Sequence, residues 1–255
     1  GLSAARDDVD GKTDFAVLRN NTSWENWGEG VSSFEANGTL IEGNIVYDNY
    51  SANIYISDTT NAICQGNLVY TTPDSYLNGY GSHVGIGMGD EIYRPRSANI
   101  TVINNIAYGN KRNFFFSKGS RGGGLVNVLI ANNTFVNSTL EAGVVINQGD
   151  HQNARFINNL TEQNGPLPVA SIDTNPQLTV RNNLWSKTPG PGASGPGDVV
   201  GDPLLARVGV FNSVDWYRLL DGSPAINKAL PLDEVTLDYA GMPRGAVPDL
   251  GALEK

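Results

Sequence analysis

Seven times along the chain an apolar or small residue, a spacer and a second apolar residue lead into an asparagine. The first position is filled by Ala16, Thr39, Ala62, Ile100, Val128, Ala154 and Leu178, and the second by Leu18, Ile41, Cys64, Val102, Ile130, Phe156 and Val180. Three residues further on stand Asn21, Asn44, Asn67, Asn105, Asn133, Asn159 and Asn183, at intervals of 23, 23, 38, 28, 26 and 24 residues. A spacing of two with one face apolar predicts a short strand half-buried on that face. A second apolar run follows each asparagine, as in Ile45-Val-Tyr, Leu68-Val-Tyr and Ile106-Ala-Tyr. A third comes later, as in Ile54-Tyr-Ile, Val84-Gly-Ile-Gly-Met, Phe114-Phe-Phe and Val144-Val-Ile.

A repeat of this length predicts a solenoid, because one coil cannot bury its own inner face and must stack on its neighbours. Three short strands per coil and no helical stretch between them describe an all-β fold, a right-handed parallel β-helix of about seven coils. Coils stacked about 4.8 Å apart align equivalent residues in columns. The asparagine column is then expected at a tight corner, where asparagine tolerates the left-handed conformation and its amide bonds the amides above and below. Trp24, Tyr47, Tyr70 and Tyr108 each lie three residues after a repeat asparagine, which predicts an aromatic stack.

The repeat organises the chain as coils over 1–186, a Gly/Pro-rich connection over 187–198 and an irregular C-terminal closing segment, or cap, over 199–255. The chain enters its first coil by Asp14 with no amphipathic capping helix ahead of it. That predicts exposed strand edges, and a chain that works as a monomer or as part of a longer one.

The formal net charge of −9 argues against a nucleic-acid binder, which needs a basic excess. No apolar run is long enough to insert in a membrane. The single cysteine, Cys64, falls in the inward column and reads as a small buried hydrophobe.

Function is expected where the repeat is interrupted, since insertions in a solenoid go to corners and build the working face. The 38-residue interval places extra residues before and after the third strand of its coil, at 71–82 and 91–99, and the 28-residue interval adds Ser117-Lys-Gly-Ser-Arg-Gly-Gly-Gly. These loops are expected to wall a groove whose floor is the sheet of third strands. Alternation turns Ser32, Tyr55, Gly87, Phe115 and Val145 outward on that floor, an aromatic, a gap and an aromatic suited to sugar rings. Asp58, Asp90 and Glu91 fall at one corner and offer the hard oxygen ligands that Ca²⁺ takes. Lys118 and Arg121 follow one coil on, with Tyr93, Arg94 and Arg96 in the loop between. Tyr80 and His83 stand at the opposite corner, an acid or base reserve.

The closing segment, with Ser223-Pro-Ala-Ile226, Asp238-Tyr-Ala-Gly-Met-Pro-Arg244 and Asp249-Leu-Gly-Ala-Leu-Glu254, resembles that of bacterial secreted β-helix proteins of the pectate-lyase-like superfamily. Gly28-Glu-Gly-Val31, Asn53-Ile-Tyr-Ile56 and Asn132-Asn-Thr-Phe135 also read like that group's coils. In the closing segment Arg244 is expected to pair with Asp238 or Asp249. The resemblance implies a polysaccharide as partner, a secreted or cell-surface location, and a carbohydrate-active function. β-Elimination at a uronate is the leading reaction, with Ca²⁺ on Asp58, Asp90 and Glu91, Lys118 or Arg121 as base (His83 in reserve), and Arg94 or Arg96 on the uronate carboxylate. Tyr55, Tyr80, Tyr93 and Phe115 would bind substrate. A glycan-binding or purely structural β-helix is the first alternative. An inverting glycoside hydrolase using Asp58 with Asp90 is the second.

Overall fold

The structure, a computed structural model, describes residues 1–5, 13–75, 80–91, 96–119 and 122–255. Nearly all regular structure is short parallel strand, arranged in three long sheets. Sheet I holds the strands before the repeat asparagines, from Val17–Arg19 to Leu178–Arg181. Sheet II holds those after them, from Thr22–Trp24 to Val199–Val200. Sheet III runs through Leu2–Ala5, Val31–Phe34, Ala52–Ser57, Val84–Asp90, Arg112–Lys118, Val144–Ile146 and Ala170–Ile172. The strand at Leu2–Ala5 pairs with Val31–Phe34, so the solenoid is already under way before Asp14, where the sequence pattern placed its start.

Registers follow the repeat. Leu18, Ile41, Cys64, Val102, Ile130, Phe156 and Val180 are aligned partner to partner, and all but Leu18 are buried in one continuous interior core. Rings fill its later coils: Phe156 lies 6.4 Å from Phe135 and 5.9 Å from Trp185. Each such side chain contributes about 2–3 kcal/mol through burial.

The asparagine column is a ladder. In each rung from Asn21 to Asn159, the backbone N–H and the side-chain Nδ2 both donate to Oδ1 of the next asparagine, at 2.9 to 3.3 Å. The last rung is Asp198, whose Oδ1 accepts the Asn183 N–H at 2.8 Å. A carboxylate only accepts, so it closes the ladder without needing another coil.

The left-handed conformation falls elsewhere than the repeat suggested. It belongs to the residue before each ladder asparagine: Asn20, Gly43, Gly66, Asn104, Asn132, Asn158 and Asn182, with φ of 50° to 64°. The division is physical. The corner needs a residue that tolerates positive φ, and the next position needs an amide directed along the stack. Two further ladders exist: Asn26, Asn49, Asn53, Asn110 and Asn113 inside the corner between sheets II and III, and Asp14, Asn37, Asn61, Asn99, Asn127 and Asn153 along the corner between sheets III and I.

Residues 201–255 are irregular and lie back along the flank of the solenoid. Leu205, Tyr217, Leu219 and Leu253 pack on Leu68, Ile106, Val136 and Leu160 of sheet II's outer face, and Val235 packs on Ile103, Leu129 and Ile157 of sheet I's. The aromatic stack runs Trp24, Tyr47, Tyr70 with near-parallel rings. Phe211 of the flank segment then enters between Tyr70 and Tyr108, stacking on the latter at 4.7 Å. Arg244 is the segment's clasp. Its carboxylate partner is Glu254, at 2.5 Å, rather than Asp238 or Asp249, and it also donates to Asn104 Oδ1 and the Gly251 carbonyl. Burial lowers its affinity for the proton and raises that of the Glu254 carboxyl.

Candidate functional site

Residues 201–255 cover the middle coils of sheets I and II, whereas on sheet III Tyr55 and Phe115 are partly exposed and Ser171 is exposed, with Ser32, Gly87 and Val145 buried. The outward column of sheet III is Ser32, Tyr55, Gly87, Phe115, Val145 and Ser171, aligned across successive coils. Interruption of the repeat on both sides of the strand Val84–Asp90 leaves these registers intact.

The gap at Gly87 is filled from the previous coil. A Cβ there would come within 2.9 Å of Tyr55 Cδ2, and one at Gly89 would collide with Tyr55 Oη. The two glycines therefore let the tyrosine ring lie flat across the next coil. Tyr55 Oη donates to Glu91 Oε1 at 2.6 Å. Burial and the adjoining carboxylate push the phenol's pKa well above its ordinary value. Phe115 is not a bare ring: the Arg112 guanidinium sits 4.7 Å from its centroid and holds Glu141 with two hydrogen bonds. That pairing keeps the Glu141 carboxyl below its usual range. The floor is thus Tyr55 beside a cation-capped aromatic rather than two free sugar platforms.

At the corner where sheet III strands end, the structure brings together Lys118, Arg96, Asp90 and Glu91, and adds Asp150 and His151, which the sequence reading missed. Lys118 aligns with Asp90 and is exposed. Arg96 Nε stands 3.8 Å from Asp90 Oδ2 and its Nη2 4.0 Å from Asp150 Oδ2, beyond hydrogen-bonding reach. Both nitrogens are buried without a hydrogen-bond acceptor and face these two carboxylates, while over a third of the Arg96 side chain stays exposed. Asp150 and His151 follow the third strand of the coil after Lys118, and extending the alignment one coil further would have found them.

Asp58 and Asp90 are buried, and their bonds are those of loop anchors. Asp58 Oδ2 accepts from Ser57 Oγ and the Glu91 N–H. Asp90 Oδ1 accepts the Ser97 N–H and Oδ2 the Gly124 N–H, at 2.6 and 2.9 Å. Among the described residues no three His, Cys, Asp or Glu side chains are grouped to hold a metal ion. With these oxygens engaged in anchoring loops, Asp58, Asp90 and Glu91 do not present a ready-made set of Ca²⁺ ligands. Nor do Asp58 and Asp90 resemble the solvent-facing carboxylate pair of an inverting hydrolase.

His83 and Tyr80 lie at the opposite end of the same strand. Seven residues at about 3.3 Å each put roughly 20 Å between His83 and Asp90. His83 is buried with a φ of 39°, and Tyr80 is exposed. Tyr93, Arg94 and Arg121 lie outside the described residues.

Comparison with known proteins bears on the architecture. The sequence matches the family model described as the right handed beta helix region over residues 9–185. No curated protein matches it. The crystal structure of pectate lyase Pel9A is similar, with 17% sequence identity and a TM-score of 0.50 over 100% of this chain and 70% of that one. At that identity the likeness is one of fold. The repeat, the three parallel sheets and a family model spanning most of the coils agree: the chain belongs to the right-handed β-helix family.

Proposed function

We propose that the protein binds an acidic polysaccharide along the outer face of sheet III and cleaves it by β-elimination at the corner formed by Lys118 and Arg96. The observation that carries this reading is the pair of cations, the part-exposed Arg96 guanidinium and the exposed Lys118, at the end of a floor formed by Tyr55 and Phe115. A uronate carboxylate pairs with the exposed part of the Arg96 guanidinium. The Lys118 amine then removes the proton at C5, the C5–H electrons form the C4–C5 double bond, and the C4–oxygen bond breaks with the leaving oxygen taking a proton from water. The positive charge of Arg96 beside the carboxylate stabilises the negative charge that builds up there in the carbanion-like transition state.

The pectate lyase named for the similar structure supports the reaction class by analogy of fold alone. Action on such a polymer fits a protein secreted by, or held at the surface of, a bacterium. The test is ultraviolet absorbance of the unsaturated product while the protein is offered a panel of uronate polysaccharides. Absorbance that rises with wild type and not with Lys118→Ala is the expected result. Absence of absorbance together with release of reducing ends would replace elimination by hydrolysis.

A further inference from the structure

The two inserted walls are tied to each other and to the next coil by three hydrogen bonds in series. Asp90 Oδ1 accepts the Ser97 N–H of the first wall, Asp90 Oδ2 accepts the Gly124 N–H of the second, and His151 Nδ1 accepts the adjacent Leu125 N–H at 3.0 Å. The histidine's second nitrogen lies 3.2 Å from the Asn147 carbonyl. A carbonyl cannot donate, so Nε2 carries the proton and Nδ1 is the acceptor. The ring is buried against Phe116, 5.3 Å between centroids. Gly123, Gly124 and Gly149 give the backbone its close approach: a Cβ at Gly124 would strike the Asp150 backbone, and one at Gly149 would come within 3.1 Å of His151 Cε1.

Only the neutral ring fits this position. Adding a proton at Nδ1 points one N–H donor at another, deprives the Leu125 amide of its acceptor and leaves two donors facing each other in a buried place.

We propose that His151 is a proton-operated latch: neutral, it holds the second wall at 122–125 in place, and protonated it releases that wall. The charged groups facing the ring among the described residues are Asp150 and Asp173, which favour its protonation, and Lys118, which opposes it. Burial outweighs the carboxylates and holds its pKa below the ordinary 6.5. The sign follows. An unfolded or released histidine takes up its proton near 6.5, so the latched state loses stability as pH falls below that value towards the lowered one. The latch stands on backbone hydrogen bonds and does not depend on the polysaccharide reading. If that reading holds, the same opening would remove one wall of the groove.

The test is amide hydrogen exchange of Leu125 in the full chain, corrected for intrinsic rate, between about pH 7 and about pH 5, above the range where ordinary carboxylates titrate. Protection should fall by about tenfold or more in wild type. His151→Asn keeps an acceptor oxygen near the Nδ1 position and cannot titrate, so its protection should stay flat over that range. His151→Phe removes the acceptor and should show low protection at both pH values, with exchange at Ile130 in the core unchanged as the check on folding. Flat protection in wild type, or a pH response retained in His151→Asn, would overturn the latch. So would nitrogen chemical shifts placing the neutral proton on Nδ1.

Discussion

Asn105 is a fully buried rung in the middle of the ladder. Its Oδ1 accepts from Asn67 N and Nδ2 at 3.0 and 2.9 Å, and its Nδ2 donates to the Cys64 carbonyl and to Asn133 Oδ1 at 2.9 and 3.0 Å. Asn105→Ala leaves the Asn67 N–H and the Cys64 carbonyl without those partners inside a fully buried column. Asn67 Nδ2 keeps the Ile41 and Gln65 carbonyls, and Asn133 Oδ1 keeps the Asn105 N–H. The Cys64 carbonyl keeps its place in the parallel ladder beside Ile103, so one orphaned N–H at about 1–3 kcal/mol and one lost amide bond at about 0.5–1.5 kcal/mol give a loss of about 1.5–4.5 kcal/mol. Asn21 is the control. It donates to Asn44 Oδ1 from its backbone and its amide, and alanine there removes one amide bond at a half-exposed rung, about 0.5–1.5 kcal/mol. Urea unfolding followed by tryptophan fluorescence measures both. Since solenoids can unfold coil by coil, exchange of the Asn67 amide gives the local value. Equal losses for the two variants would refute the claim that the ladder acts through buried rungs rather than through corner geometry alone.

Other expectations follow from single sites. Thr161 Oγ1 is buried in the interior with no partner, so Thr161→Val should stabilise the chain by about 1 kcal/mol in the same urea assay. Phe211→Ala removes the ring between Tyr70 and Tyr108; it should cost about 2 kcal/mol and speed proteolysis within residues 201–255. Burial pushes the Cys64 thiol up to about 12, so an alkylating reagent at mildly alkaline pH should label the unfolded chain and spare the native one. The Glu141 carboxyl, lowered by Arg112, contributes stability above its ordinary 4.5 that fades as pH falls through the lowered value. Arg112→Met should return its titration, read by carbon chemical shift, to the ordinary carboxylate range.

The coils were legible because a parallel stack forces equivalent residues into columns. The inward row from Leu18 to Val180 and the outward row from Ser32 to Val145 are both registers one can align by eye. Corner roles were less so. Asparagine serves equally at a left-handed turn and in an amide ladder, and only backbone angles separate Asn104 from Asn105. The flank segment defeated periodicity because Phe211, Trp216 and Val235 dock as single anchors with no repeat of their own. At the candidate site, sequence placed Lys118 and Arg96 on the right side of the floor. It read Asp58 and Asp90 as ligands because a carboxylate that anchors a loop through backbone N–H groups looks the same in one dimension as one that faces solvent.

The central claim is that sheet III is the working face, and affinity electrophoresis in gels containing uronate polysaccharide tests it most directly. Wild type should be retarded. Tyr55→Ala and Arg96→Gln should each lose about tenfold or more in affinity, as expected for a stacking ring and a paired guanidinium, while Met242→Ala on the exposed surface of the flank segment should migrate as wild type does. Retardation unchanged in Tyr55→Ala and Arg96→Gln, or lost in Met242→Ala, would contradict it.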